Sequence, residues 1–251
     1  MKMKTLSIVA AVLLGGLANL AWASVPFVLH DGGNNIVDGI YMSPYNASVN
    51  GVPTTVICDD FADDVIAGEA WKVNTSTVAD LAGNYSSGVT WNATNPLTLG
   101  LTQSEQQTGY DEMAWLATQL AAQLQLPVNQ QNLPMQADIS FAIWSVFDPA
   151  GVQSWISNPA YSADSSWLKS GISDWLGQAE NPANYGGDFS NVSIYTPVDG
   201  TQSWGGRPQE FLAVQTVRAD EASTITTLGF DFTCLAVLLY FFRRHLSTKL
   251  N

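Results

Sequence analysis

MAWLATQLAAQL, residues 113–124, decides the fold class, because the apolar residues change there from an alternating period to a helical one. The apolar side chains of this stretch and its neighbours share one helical face: Met113, Leu116, Ala117, Leu120, Ala121 and Leu124. Ser104, followed by Glu105, is a suitable first residue, and Pro127 would stop the helix. The sequence therefore predicts an amphipathic helix between about 104 and 126.

Upstream of this helix, from Val25 to about Trp91, the pattern favours strands and turns. Asn50-Gly51 is a strong turn signal, since both residues tolerate a positive φ. Three segments alternate or are rich in β-branched residues: 36–41, 54–58 and 70–77. This part of the chain is predicted to be β-rich.

Downstream, two more helices are expected before the chain returns to strands. One would begin near Pro134 and end before Asp148-Pro149, and the next would run from about Ser162 to Gln178. Strand-like patterns follow at 192–195 and 209–216. The order of strands, helices and strands predicts an α+β domain, in which a sandwich or sheet built from both ends carries a helical subdomain.

The N-terminal residues have the pattern of a secretory signal peptide. Lys2 and Lys4 precede an apolar run from Leu6 to Leu20, and Ala21-Trp22-Ala23 is a small-x-small cleavage site. We therefore expect residues 1–23 to be removed and the mature protein to start at Ser24.

The C-terminal residues have the pattern of a membrane span. An apolar run from Ile225 to Phe242 is about long enough to cross a hydrocarbon core of roughly 30 Å as a helix. Arg243-Arg244 directly after it would stay on the cytoplasmic side. The expected organisation is a signal peptide (1–23), an exported domain (24–218) and a C-terminal segment with a transmembrane helix and basic tail (219–251).

Charge and cysteine content limit the possible functions. The expected exported part has four basic residues against nineteen acidic ones, a net charge of −15. Such a surface repels phosphate backbones, so we expect no nucleic-acid partner. Cys58 and Cys234 would lie on opposite sides of the membrane boundary, so no disulfide joins them. Cys58 is then a lone thiol, either buried and inert or reactive.

Few residues of the exported part suggest catalysis or a cofactor. His30 is its single histidine, followed by Asp31-Gly32-Gly33, and is expected on the surface. No zinc-ligand pattern is present, and we expect no cofactor. Four aspartates after Cys58 are weak candidates for a structural cation, with a solvated acidic turn as the default interpretation: Asp59, Asp60, Asp63 and Asp64.

Tryptophan is abundant, and two interpretations are open. Four tryptophans lie in or beside the helical stripes and are expected in the core: Trp115, Trp144, Trp167 and Trp175. Four others are candidates for contact with carbohydrate: Trp71, Trp91, Trp155 and Trp204. A pair of carboxylates set for glycoside hydrolysis cannot be recognised from spacing, so an extracellular hydrolase is a distant alternative.

The C-terminal segment resembles the sorting region of PEP-CTERM proteins. The likeness rests on Gln209-Glu210-Phe211-Leu212, on the apolar run, and on the polar motif and basic pair: Asp220, Glu221, Ala222, Ser223, Thr224, Arg243 and Arg244. The family's Pro-Glu-Pro is Asp220-Glu221-Ala222 here, and Asp231 interrupts the run. The resemblance implies recognition by a membrane exosortase, then transfer to the cell surface and its polysaccharide matrix.

The domain is similar to a group of PEP-CTERM exported proteins and, more distantly, to surface thioester domains. The matching segments are 56–61, 110–116 and 141–144. In thioester domains a cysteine thiol is joined to a glutamine amide carbon, and the resulting bond captures amines. The family's glutamine lies four residues before the tryptophan of Ala142-Ile143-Trp144, where this chain has Ser140, and Gln136 lies one turn earlier.

Two functional hypotheses follow. The preferred one is a non-enzymatic, exported cell-surface or extracellular-matrix protein, with an exosortase-type sorting enzyme and extracellular polysaccharide as partners. The alternative is a thioester-type covalent adhesin that uses Cys58.

Overall fold

The computed structural model describes residues 24–32, 36–37, 39–81, 88–92, 94–158, 165–202 and 206–215. The chain divides into two units, 1–214 and 215–251, and all described residues except Gln215 belong to the first. The predicted signal peptide, with Ala21 and Ala23, and the predicted sorting segment lie outside the described residues. Within the described ranges, no helix is long and apolar enough to cross a membrane.

Six strands form a closed antiparallel barrel in the order β1-β4-β5-β8-β7-β6. They are β1 (Val25–Asp31), β4 (Tyr45–Val49), β5 (Val52–Cys58), β6 (Ala70–Thr77), β7 (Val192–Pro197) and β8 (Phe211–Val214). A separate short pair is made by β2 (Ile36–Val37) and β3 (Ile40–Tyr41). The α+β class is confirmed, and so is the contribution of both parts of the chain to one β layer.

The β layer, expected as a sandwich or sheet, is a sheet closed into a barrel. β8 pairs with β5 through Ile57 and Leu212 and with β7 through Ser193 and Ala213, so it joins the early strands to the late ones. β1 pairs on its two sides with β4 and β6. Because the barrel is closed, each of its strands has a paired neighbour on both sides. The alternation of apolar residues within single segments could not reveal this closure.

The turn between β4 and β5 follows directly from its sequence. Asn50 and Gly51 have φ values of 51° and 78°, the left-handed region that a two-residue hairpin requires. Val49 and Val52 are therefore opposite one another, and this sets the register that brings Tyr45 opposite Val56. Asn50-Gly51 was correctly predicted as a turn.

Five helices follow β6 before the chain returns to the barrel: α1 (Gln103–Leu124), α2 (Leu133–Phe147), α3 (Pro149–Ile156), α4 (Ser165–Ala179) and α5 (Pro182–Tyr185). α1 begins with a capping box in which Thr102, rather than Ser104, is the cap and Glu105 is its partner. α3 was not predicted. Asp148 ends α2 and also caps α3, accepting a hydrogen bond from the Gly151 N–H at 2.9 Å, with Pro149 as the first helical residue.

The barrel and the helices share one hydrophobic core. The predicted stripe of α1 is confirmed, since Met113, Leu116 and Leu120 are fully buried. Inside the barrel, Phe27 stacks on Phe211 with ring centroids 5.3 Å apart. α2 packs against α1 and α4, and its Trp144 reaches the end of β5. This contact brings the helices to the segment that carries the candidate site.

Candidate functional site

The candidate site lies at the barrel end where β1 and β5 finish and β4 and β8 begin. β5 ends at Cys58, and the chain continues through Asp59 and Asp60 into an irregular segment up to Glu69. Glu210 immediately precedes β8, whose Phe211 pairs with Cys58. The antiparallel register therefore places the acidic residues after β5 beside the acidic residue before β8.

Asp59 and Glu210 form a buried pair of carboxyl groups. Asp59 is 1% exposed and Glu210 is 0% exposed. Burial raises the pKa of both, and the neighbouring carboxyls raise the pKa of Asp59 further. Burial therefore favours the neutral form of Asp59, and neither of its carboxyl oxygens has a hydrogen-bond partner among the described residues.

Glu210 joins three parts of the domain. One carboxylate oxygen accepts a hydrogen bond from the Tyr110 hydroxyl of α1 at 2.6 Å. The other accepts from the backbone N–H of Thr90 at 2.8 Å and from the hydroxyl of Thr196 on β7. Charged acceptors make stronger hydrogen bonds than neutral ones, so this residue holds α1, the 88–92 loop and the barrel together.

Asp60 forms a second carboxyl pair, with Asp63. Its Oδ1 accepts from the N–H groups of Ala62 at 3.0 Å and Asp63 at 3.2 Å, closing a tight turn. Burial and the neighbouring carboxyls raise the pKa of Asp60 to about 8, which favours its neutral form at neutral pH. Arg207 lies 3.7 Å from the Asp63 carboxylate.

The default prediction of a solvated acidic turn was wrong for Asp59 and Asp60, which are buried. At Asp60, backbone N–H groups take the place of water on one carboxyl oxygen. Asp63 is half-buried and Asp64 is exposed, as a turn would require. In the part of the chain that the structure describes, no group of three or more acidic, histidine or cysteine side chains is placed to hold a metal ion.

Cys58 is fully buried, and its thiol donates to the backbone carbonyl of Asp60 at 3.1 Å. Burial raises the pKa of the thiol, and the carboxyls of Asp60 and Asp59 raise it further. The indole N–H of Trp144 donates to the Cys58 carbonyl at 3.0 Å, which fixes α2 against β5. At neutral pH the thiol is therefore protonated and weakly nucleophilic.

Neither Ser140, at the family's glutamine position, nor Gln136, one turn earlier, brings an amide group to Cys58. Ser140 is buried and its hydroxyl donates to the Gln136 carbonyl within its own helix at 2.9 Å. The Gln136 amide donates to Gln131 at 3.4 Å. Gln209, which was quoted only for the tail resemblance, donates its amide N–H to the same Asp60 carbonyl as the Cys58 thiol, at 2.8 Å.

A pocket of about 300 Å³ opens beside these residues and is called the rim pocket below. Four aromatic rings line it: Tyr41, Tyr45, Phe61 and Trp144. Its polar lining consists of Asp63, Asp64 and Gln209. Aliphatic side chains and backbone of β1, the β2–β3 pair and the segment after Asp64 complete it. An aromatic cavity with a few convergent polar groups is a typical small-ligand site.

The predicted carbohydrate-contacting tryptophans are not in this pocket. Trp71 and Trp91 are 3% and 0% exposed, and Trp91 stacks on Phe147, so both belong to the core. Trp155 stacks on Phe141 and is half-buried. Trp204 lies outside the described residues. His30 is exposed on β1, as predicted.

Comparison with known proteins adds no relative, since no protein-family model, no curated protein and no solved structure matches the chain. Function must therefore be argued from the site itself.

Sequence reasoning missed Glu210, Tyr110 and Gln209 as members of the site. The one signal available was an isolated glutamate directly before the apolar strand Phe211–Val214. An acidic residue next to a buried strand needs a buried partner, but the partners come from residues 90, 110 and 196. Only the closed barrel brings them together.

Proposed function

We propose that this chain is a non-enzymatic, exported cell-surface or matrix protein whose domain binds extracellular polysaccharide in the rim pocket. The rim pocket is the observation that carries the proposal. It combines the half-exposed ring of Tyr41 with buried rings and three polar side chains at its wall. Flat apolar rings beside hydrogen-bonding groups suit a sugar unit, which has both apolar faces and hydroxyl groups.

The buried carboxyl pairs support a non-catalytic role. Asp59 and Glu210 are 1% and 0% exposed, so neither presents a surface on which a substrate could act. Hydrogen bonds from Tyr110, Thr90 and Thr196 occupy the Glu210 oxygens. The pair is better suited to holding the domain together than to turnover.

Export and attachment are proposed from the two ends of the chain. The signal-peptide pattern of residues 1–23 and the PEP-CTERM-like segment 219–251 support delivery across the membrane and recognition by an exosortase-type enzyme. Mass spectrometry of the exported protein tests this, because an intact C terminus at Asn251 would contradict processing.

Polysaccharide binding is tested on a glycan array and on matrix material from the producing cells. We expect the protein to be retained by one or more polysaccharides, and Tyr41→Ala to reduce the affinity about tenfold by removing one ring from the pocket. Tyr185→Ala, on the short helix α5 and not in the pocket lining, is the matched control and should bind normally. Absence of binding to every glycan tested would contradict the proposal.

The second candidate is the thioester-type covalent adhesin, and one contact favours it. The Cys58 thiol and the Gln209 amide nitrogen bond the same oxygen, so they lie no more than about 5.9 Å apart (3.1 Å plus 2.8 Å). Attack of Sγ on the Gln209 amide carbon would form the C–S bond, break the C–N bond and release ammonia, the thiol proton leaving with the nitrogen. The partner would then be Gln209 rather than the family's position, Ser140.

Intact mass separates the two candidates. For the preferred function we expect the mass calculated for the processed chain, with a Cys58 thiol that reacts only after unfolding, because Cys58 is buried and its pKa is raised. A thioester would instead lower the mass by one ammonia. In that case Cys58→Ala and Gln209→Ala would each abolish the loss, whereas Gln136→Ala would leave it unchanged.

A further inference from the structure

We infer that the rim pocket recognises a sugar unit with a free, protonated amine, so that the preferred polysaccharide contains unsubstituted amino sugars. This inference rests on the proposed function and adds the chemical class of the ligand. The described part of its polar lining has an excess of hydrogen-bond acceptors and no basic side chain, and its rings can contact a cation.

The side-chain donors of the lining are largely used within the protein. Gln209 donates to the Asp60 and Asp63 carbonyls at 2.8 and 2.6 Å, and Trp144 donates to the Cys58 carbonyl. The Tyr45 hydroxyl donates to the Tyr41 carbonyl at 2.6 Å. Among the described lining residues, the remaining side-chain donor is the hydroxyl of Tyr41, on a half-exposed ring.

The polar groups of the lining that remain available to a ligand are mainly hydrogen-bond acceptors. The Gln209 Oε1 atom is buried and has no hydrogen-bond partner among the described residues. An unpaired buried acceptor is destabilising, and a ligand donor would relieve this cost. The carboxylates of Asp63 and Asp64 provide further acceptors in the same lining. The pocket therefore requires a ligand rich in N–H or O–H donors.

The negative charge of the lining favours a ligand whose hydrogen-bond donor is a cation. Among the described residues that line the rim pocket, none is basic. Arg207 is shared between Asp63 at 3.7 Å and Asp199 at 3.6 Å, so it offsets the Asp63 charge only in part. Within the described ranges Asp64 forms no ion pair. An ammonium group would pair with Asp64, and an anionic sugar would be repelled.

The aromatic rings of the pocket also favour a cationic ligand. An ammonium group near the face of a Tyr or Trp ring is attracted to it, and the attraction is stronger where water is excluded. The volume of about 300 Å³ lies at the lower end of the range for ligand pockets, which suits one sugar ring rather than an extended chain. A single amino-sugar unit offers the ring, the hydroxyl donors and the charge together.

The test is titration calorimetry of the full-length protein in detergent with a matched pair of oligosaccharides. The probes are a glucosamine tetramer and the N-acetylglucosamine tetramer, which differ only in whether the amines are free. We expect the free-amine tetramer to bind at least tenfold more tightly, and this preference to shrink as salt is added. Asp64→Asn should remove most of the preference, while the equivalent substitution on the exposed face of α4, Asp174→Asn, should leave it unchanged.

Each result that differs from this expectation contradicts a stated part of the proposal. Equal binding of the two tetramers would overturn the amine inference and leave polysaccharide binding in place. Binding of a lysine-rich peptide with no binding of either tetramer would overturn both in favour of a protein ligand. If neither tetramer nor the peptide binds, both polysaccharide binding and amine recognition by this pocket are contradicted. Tyr41→Ala, at a half-exposed position, provides a second variant whose folding is checked by its melting temperature.

Discussion

Replacing Glu210 by alanine is expected to lower the free energy of unfolding by about 4 kcal/mol or more. The variant leaves the Thr90 N–H, the Tyr110 hydroxyl and the Thr196 hydroxyl without their acceptor, and all three residues are at least 95% buried. Each unpaired buried donor costs about 1–3 kcal/mol, and the deleted side chain adds a cavity. The urea midpoint, followed by tryptophan fluorescence, measures the effect.

Glu210→Gln is the matched variant, because it preserves the size of the side chain and one acceptor oxygen. We expect it to cost about 1–2 kcal/mol, since two of the three donors can still be paired. Glu180→Ala, an exposed position at the end of α4, should stay within about 0.5 kcal/mol of the unmodified protein. A cost below about 1 kcal/mol for Glu210→Ala would show that Glu210 does not hold α1 to the barrel.

The domain is also expected to be less stable at pH 8.5 than at pH 5. The pKa of Asp60 is raised from 3.8 to about 8 in the folded state, so its contribution to stability is complete below pH 3.8 and is lost as the pH rises to 8. The pKa values of Glu112 and Asp138, raised by burial to about 7 and about 6, act in the same direction. Hydrogen bonds at a helix cap and a turn lower the pKa values of Glu105 and Asp188. The stability that these two groups contribute to the fold is therefore lost only at more acidic pH.

At about 1.4 kcal/mol for each pKa unit, the three units between pH 5 and 8 amount to about 4 kcal/mol from Asp60. This corresponds to a fall in Tm of about 10 °C for a domain of this size. Asp60→Asn isolates the cause, because the amide oxygen can still accept from the Ala62 and Asp63 N–H groups. This variant should match the unmodified protein at pH 5 and melt at a higher temperature at pH 8.5. A Tm of the unmodified protein that rises with pH would contradict the assignment.

The secondary structure was largely accessible from the sequence. The helical stripe from Met113 to Leu124, the Asn50-Gly51 turn and the return to strands near 192 and 211 each depend on neighbouring residues alone. Closure of the barrel was not accessible, because it depends on β8 pairing with two strands about twenty and 150 residues away along the chain. Helix α3 was missed because Asp148-Pro149 was interpreted only as a stop, although Asp before Pro is also a good helix start.

The site was accessible only in part. Cys58 and the aspartates after it could be singled out, since a lone thiol beside four carboxyl groups is unusual, and they do lie at the candidate site. Their environment was not predictable, because Glu210 and Gln209 reach them across about 150 residues of sequence. The aromatic lining was missed for the same reason. Tyr41, Tyr45 and Phe61 look like ordinary strand and turn residues until the barrel end brings them together with Trp144.

The position of β8 in the barrel has a consequence for how the protein is made. Phe211–Val214 is the last strand of the barrel along the chain, and until it is in place β5 and β7 each have an unpaired edge. A chain that emerges from its amino end, whether from a ribosome or through a translocation channel, cannot complete the barrel until these four residues have passed. The domain is therefore suited to travel unfolded and to fold late, and a nascent chain shorter than 214 residues should be readily degraded by proteases.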